Sequence, residues 1–149
     1  MFSKTVEYAL RAMVYLASQE GTPRTTQEIA KATRLEKKTA YLSKVMQSLG
    51  RKRLVQSQRG LHGGFTLTRP TDDLTVLDII MAVDPIQRIE SCPLGIKGHI
   101  NLCPLHRRLD QAMKLVEGAL QKSTLAELLV EPERSRGIPI PLCSWPEEE

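Results

Sequence analysis

Two sets of residues in this chain could do chemistry. The first is a run of cations: Arg24, Lys31, Arg34, Lys37, Lys38, Lys44, Arg51, Lys52, Arg53 and Arg59, interrupted by Glu28 and Glu36. Ten bases against two acids exceed the formal net charge of the whole chain, +4, so the remainder is net acidic. A single-sign field held on one compact element attracts a polyanion and releases its counterions on binding. A solvated helix face would instead intersperse acids at helical spacing. Nucleic acid is therefore the expected partner. The second set is sulfur, at Cys92, Cys103 and Cys143. Three cysteines are too few and too odd a number for a disulfide framework, which leaves metal ligation, redox chemistry or plain burial open.

The cations need elements to present them. Ser3 caps a first helix whose apolar residues Val6, Leu10, Met13, Val14 and Ala17 recur with a 3.6-residue period, and Gly21 and Pro23 end it. Thr25 with Glu28 three residues later reads as a capping box, opening a short helix that stops near Leu35. A third helix spans roughly Lys37 to Arg51, with Leu42, Val45, Met46 and Leu49 on its buried stripe. Its other face shows Lys38, Tyr41, Lys44, Gln47 and Ser48. Two helices with a short break between them, the second one basic, form a helix-turn-helix. Alternating flanks around Gly60-Leu61-His62-Gly63-Gly64 predict a hairpin directly behind it, a wing with Arg59 at its base, where it could enter a minor groove.

Beyond the wing, Thr75 and Asp78 mark a second capping signal, for a helix that Pro85 stops. Periodicity fades from Ile86 to Leu102, and Pro104 opens a longer helix. Its stripe of Leu105, Leu109, Ala112, Met113, Val116 and Leu120 has no obvious intramolecular cover, which predicts packing against a second copy. A short helix over Ser123 to Leu129 and a Pro-rich, mobile tail close the chain. The expected fold is mainly α with a small β wing. Its divisions are a winged helix-turn-helix domain (1–84), a sensor loop (85–103), a dimerisation region (104–130) and a tail (131–149).

Other function classes find little support. No activated nucleophile, paired-carboxylate site or phosphate loop points to an enzyme or to a small-molecule substrate. The aromatic platforms that stack single-stranded RNA are missing. No apolar run approaches the roughly 20 residues that span a bilayer. The N-terminal segment has no cleavage pattern, so a cytoplasmic protein is expected.

The first-helix residues Tyr8-Ala9-Leu10-Arg11, the third-helix pair Tyr41-Leu42, the wing from Val55 to Leu67 and the stretch Leu74 to Ile80 resemble the Rrf-two family of winged-helix transcription regulators, of the IscR and NsrR kind. An Arg-Gly-x-x-Gly-Gly-aromatic wing behind this helix pair is a specific match. The resemblance implies a homodimer whose third helices enter successive major grooves of an imperfect palindrome in double-stranded DNA, with half-sites on the order of 10 base pairs apart. Thr39, Tyr41, Ser43 and Lys44 match positions that approach bases or phosphates, and Arg59 matches the wing arginine. Ser43 stands where the family often carries another polar residue, so no operator sequence carries over. The full expected contact set is Thr26, Lys37, Lys38, Thr39, Tyr41, Ser43, Lys44, Arg51, Arg59, His62 and Gly63.

Many members of that family hold an iron–sulfur cluster on three cysteines before the dimer helix. Here Cys92 and Cys103 match, Gly98 and His99 stand where a middle cysteine would lie, and His106 follows Cys103 by three residues. Glu7 matches a first-helix carboxylate that completes the cluster from the other subunit in some relatives. The resemblance thus implies a ligand set drawn from Cys92, Cys103, His106, His99 and Glu7. It fits 2Fe–2S better than 4Fe–4S, because histidine can replace cysteine on one iron. Such a centre would sense redox, iron–sulfur or nitric oxide status. The plainer alternatives stay open: His99 as a surface imidazole, His106 as a structural residue, Glu7 as a solvent-facing one, Cys143 as incidental. A cluster-free regulator, controlled by a partner protein or by thiol oxidation, is the competing reading.

Overall fold

In the computed structural model, residues 2–91 and 102–130 are described. The expectations for Cys92, His99, Cys143 and the Pro-rich tail lie outside them. Six α-helices, one 3-10 turn and a two-stranded antiparallel sheet make up the described residues. The mainly α architecture with a β wing is confirmed.

Local signals set most boundaries. Ser3 caps α1 (Lys4–Ala17), its Oγ accepting from the Val6 N–H at 3.3 Å. The helix stops at Ala17, short of Gly21, because the turn is made by Glu20 and Gly21, both with positive φ. Both arms of the Thr25–Glu28 capping box are formed at α2 (Thr26–Ala32). The expected third helix divides into a 3-10 turn, Glu36–Lys38, and α3 (Thr39–Arg51). The tighter turn follows from the Lys38 N–H bonding back to the Leu35 carbonyl, three residues away, at 2.8 Å.

Strands β1 (Val55–Gln58) and β2 (Gly64–Leu67) pair from Val55 opposite Leu67 to Gln58 opposite Gly64. A third chain segment joins them. Arg24 donates its N–H to the Phe65 carbonyl at 3.1 Å and accepts from the Phe65 N–H at 2.7 Å. This bridge ties the wing to the entry of α2.

Thr75 and Asp78 cap α4 (Val76–Val83) reciprocally, and α5 (Pro104–Lys122) begins at Cys103 with proline in its first turn. The short α6 (Leu125–Leu129) then turns back into the body of the protein. Leu125 is fully buried, and its N–H meets the Leu74 carbonyl at 2.8 Å, while the Val76 N–H meets the Ser123 carbonyl at 2.8 Å. The core is aliphatic, as two Phe and one Trp in the chain require. Met13, Ile29, Leu42, Met46, Leu49, Leu74, Ile79 and Leu125 fill its centre, with Tyr8 and Phe65 at its margin. Helix α5, by contrast, buries none of its 19 residues. No helix among the described residues is long and apolar enough to cross a membrane.

Candidate nucleic-acid interface

Helix α3 inserts Leu42, Val45, Met46 and Leu49 into the core, and that phase turns Tyr41, Lys44, Gln47 and Arg51 outward, with Lys38 exposed in the 3-10 turn before it. Lys37, Lys38, Lys44, Arg51, Lys52, Arg53 and Arg59 are all exposed, and no carboxylate among the described residues pairs with them. Residues 54–71 contain no Asp or Glu at all. The cationic field is therefore unquenched across α3 and the hairpin. Arg24 is different, because it is spent internally: Nη1 lies 3.4 Å from Glu28 and Nε donates to Gln19 at 2.9 Å. Glu28 is held below the usual carboxylate range, first by the backbone N–H and hydroxyl of Thr25 and then by Arg24.

Several expected contact residues also have structural partners. The Thr39 hydroxyl donates to the Glu36 carbonyl at 2.8 Å, and the Ser43 hydroxyl donates to the Thr39 carbonyl at 3.1 Å. Each oxygen keeps lone pairs for an incoming donor. The Tyr41 hydroxyl is hydrogen-bonded to the Thr5 hydroxyl, and its ring meets Tyr8 edge-on at 5.9 Å between centroids. Tyr41 thus fastens α3 to α1 while remaining 41% exposed. Thr26 is half-buried at the start of α2, and His62 is exposed in the wing.

Two glycines set the wing's position. A Cβ on Gly63 would lie 2.4 Å from the Gln58 carbonyl oxygen, and one on Gly64 would lie 2.5 Å from the Arg24 carbonyl carbon. Gly64 also has a φ of +151°. Between the hairpin and the end of α3 lies an open cleft of about 740 Å³, lined among others by Gln47, Arg51, Arg53, Gln56 and Ser57. Arg53, Gln56 and Ser57 are absent from the expected contact set. The charge run contained Arg53, but nothing local showed that it would share a cleft with β1.

Cys103 and His106 come together, with Sγ and Nδ1 3.2 Å apart at the start of α5. Glu7 does not stand free. It accepts from Arg11 Nη2 at 2.6 Å and lies 3.3 Å from Lys4 Nζ. Among the described residues no group of three His, Cys, Asp or Glu side chains could hold a metal. A cluster between α4 and α5 escaped sequence reasoning. Arg88 donates Nε and Nη2 to the two carboxylate oxygens of Asp110, both at 2.6 Å, and Nη1 to Glu117 at 3.1 Å. The Ile89 N–H adds a bond to Asp110 at 3.2 Å. This bidentate clamp holds the Asp110 carboxyl below its ordinary range, with the Arg88 hydrogen bonds the main cause.

The family model described as Rrf2, iron-dependent transcriptional regulator, matches residues 2–131. The chain belongs to the Rrf2 family. As an Rrf2 protein it is a transcriptional regulator with a winged-helix DNA-binding unit, and it is not an enzyme. It is 30% identical over 133 residues to an Aquifex aeolicus protein named as an HTH-type transcriptional regulator, covering 87% of this chain and 91% of that one. A similarly named protein of Mycobacterium tuberculosis is 32% identical over 132 residues, covering 85% of this chain and 79% of its own. Among solved structures, CymR, the global cysteine regulator of B. subtilis, superposes with a TM-score of 0.70 at 30% identity, covering 86% of this chain and 95% of that one. T. potens IscR does so with a TM-score of 0.69 at 28% identity, covering 87% and 85%. The winged-helix unit and helices α5 and α6 all fall within residues 2–131.

Proposed function

We propose that this Rrf2 regulator works as a homodimer that reads an imperfect palindrome in double-stranded DNA with α3 and the wing of each protomer. The observation that carries the reading is the cationic surface of α3 and the hairpin, which no carboxylate among the described residues neutralises. Thr39, Ser43 and Lys44 approach the base edges, and Lys37, Lys38, Arg51 and His62 contact phosphates. Thr26, Tyr41 and Gly63 border them, and Arg59 enters the minor groove.

Pairing through α5 is supported by how the helix divides its apolar residues. Met113 and Leu120 turn inward with His106, Asp110 and Glu117, all half-buried. Leu105, Leu109, Ala112, Val116 and Ala119 are exposed at alternating spacings of four and three residues. That is the seam on which helices pair, and Leu105 is left 62% exposed and Leu109 46% in the single chain.

For the signal, the proposed ligand set is Cys103 and His106 with Cys92, His99 and the Glu7 of the second protomer. The side chains of Cys103 and His106 fit two adjacent donor positions, as their 3.2 Å approach allows. An iron–sulfur centre, 2Fe–2S in preference to 4Fe–4S, would supply electron-transfer chemistry there. The chain's own part is transmission. Any shift of Cys103 moves the first turn of α5, and Asp110 and Glu117 on that helix hand the movement to Arg88 in the segment that follows α4. The two recognition helices must match half-sites of fixed spacing, so a small rotation unseats one of them.

A second reading, control by a partner protein or by thiol oxidation at Cys103 without a cluster, draws support from the likeness to the cysteine regulator CymR. Anaerobic purification with an absorbance spectrum and iron and sulfide analysis separates the two. A coloured, iron- and sulfide-bearing protein that loses its colour in Cys103→Ala supports the cluster. A colourless, iron-free preparation overturns it in favour of the second reading.

A further inference from the structure

Leu61 is the most exposed large hydrophobic residue described, at 95%, and it stands at the tip of the wing. A lone surface leucine usually needs no explanation. This one is held out by the geometry around it. Strand pairing ends at Gln58 and Gly64, and the Gly63 N–H closes the tip on the Gly60 carbonyl at 3.0 Å. A Cβ on Gly63 would strike the Gln58 carbonyl and one on Gly64 the Arg24 backbone, so the chain closes tightly at the base of the loop. Its exposed neighbours are Gln58, Arg59 and His62, in a stretch without a carboxylate. An isolated aliphatic side chain beside Arg59 and polar neighbours makes no apolar patch for a protein partner. It suits a polyanion whose groove has apolar walls.

We propose that Leu61 enters the minor groove beside Arg59 and makes the regulator prefer A·T over G·C pairs beneath the wing. The proposal rests on the DNA-binding reading above. Sugar walls give an aliphatic side chain apolar contact, and the floor of an A·T pair carries acceptors and no donor. A G·C pair adds the guanine 2-amino donor, which an inserted leucine strips of water and leaves without a partner. Leucine is among the apolar side chains that enter minor grooves.

The test uses a duplex enriched by the full-length protein from a pool of random sequences long enough for two half-sites. Single A·T pairs are exchanged for G·C and then for inosine·C, which lacks the 2-amino group, and binding is followed by fluorescence anisotropy. Beneath the wing, G·C weakens wild-type binding about tenfold, within the range for one wrong pair, and inosine·C restores it. In Leu61→Ala the G·C penalty falls to about threefold or less, while the salt slope stays the same because no charge is lost. An unchanged thermal midpoint in Leu61→Ala shows that the fold is not involved. A G·C penalty equal in both proteins, or none in the wild type, overturns the proposal. Failure of the wild type to enrich any duplex overturns the DNA-binding reading instead.

Discussion

Gly64→Ala places one methyl group where the structure has no room for it. The new Cβ would lie 2.5 Å from the Arg24 carbonyl carbon and 2.7 Å from the Arg24 nitrogen and oxygen, whereas non-bonded carbons settle at about 3.5–4.0 Å. All three obstructing atoms are backbone, so no side chain can swing aside, and β2 must part from Arg24. That breaks both Arg24–Phe65 hydrogen bonds, each worth about 1 kcal/mol net. The φ of +151° at Gly64 adds about 1–3 kcal/mol for a residue with a side chain. The loss is therefore about 3–5 kcal/mol, a large part of the roughly 5–15 kcal/mol that holds a domain together. Urea denaturation followed by far-UV circular dichroism measures it. Gly50→Ala is the matched control, because its Cβ meets nothing closer than the Val55 carbonyl oxygen at 3.9 Å. In the helical setting of Gly50 it should be neutral or stabilise by up to about 1 kcal/mol. A Gly64→Ala protein within about 1 kcal/mol of wild type would refute the claim that the Arg24 bridge positions the wing.

Lys44→Ala and Arg59→Ala should each weaken operator binding, and wild-type affinity should fall steeply as salt is raised, as titrations at several salt concentrations would show. Undiminished binding at several times physiological ionic strength would remove the electrostatic basis of the interface. Leu109→Glu sets a charge in the exposed seam of α5 and should raise the dimer dissociation constant at least about a hundredfold, read by analytical ultracentrifugation. A dimer unaffected by it would place the subunit contact elsewhere. The Asp110 carboxyl is lowered in the folded state, so the clamp's contribution is complete above the unfolded value, near pH 4, and is lost as pH falls through the lower folded value. Asp110→Asn should flatten that acid limb of the stability curve and leave the curve's shape above about pH 5 unchanged.

Much of this molecule was legible in the order of its residues, because the deciding interactions span a few positions. Ser3, Thr25 with Glu28, and Thr75 with Asp78 cap their helices from within one turn. The stripe Leu42–Val45–Met46–Leu49 fixes which face of α3 bears Lys44, and charge segregation along the chain marks the surface. The partition of the α5 stripe was not legible. A 3.6-residue period shows an apolar face, but not that Met113 and Leu120 turn inward while Leu105, Leu109 and Val116 stay exposed. Leu120 packs against Val6, Val76 and Ile80, and Arg88 grips Asp110 across 22 residues, contacts that leave no local trace. Tyr41 reaching Thr5, Arg24 pairing with Phe65, and Leu125 returning to the core are likewise decided by distant chain segments that burial brings together. Propensity and capping act through neighbours in sequence, whereas side-chain partners across the core exist once packing has chosen one arrangement of the helices.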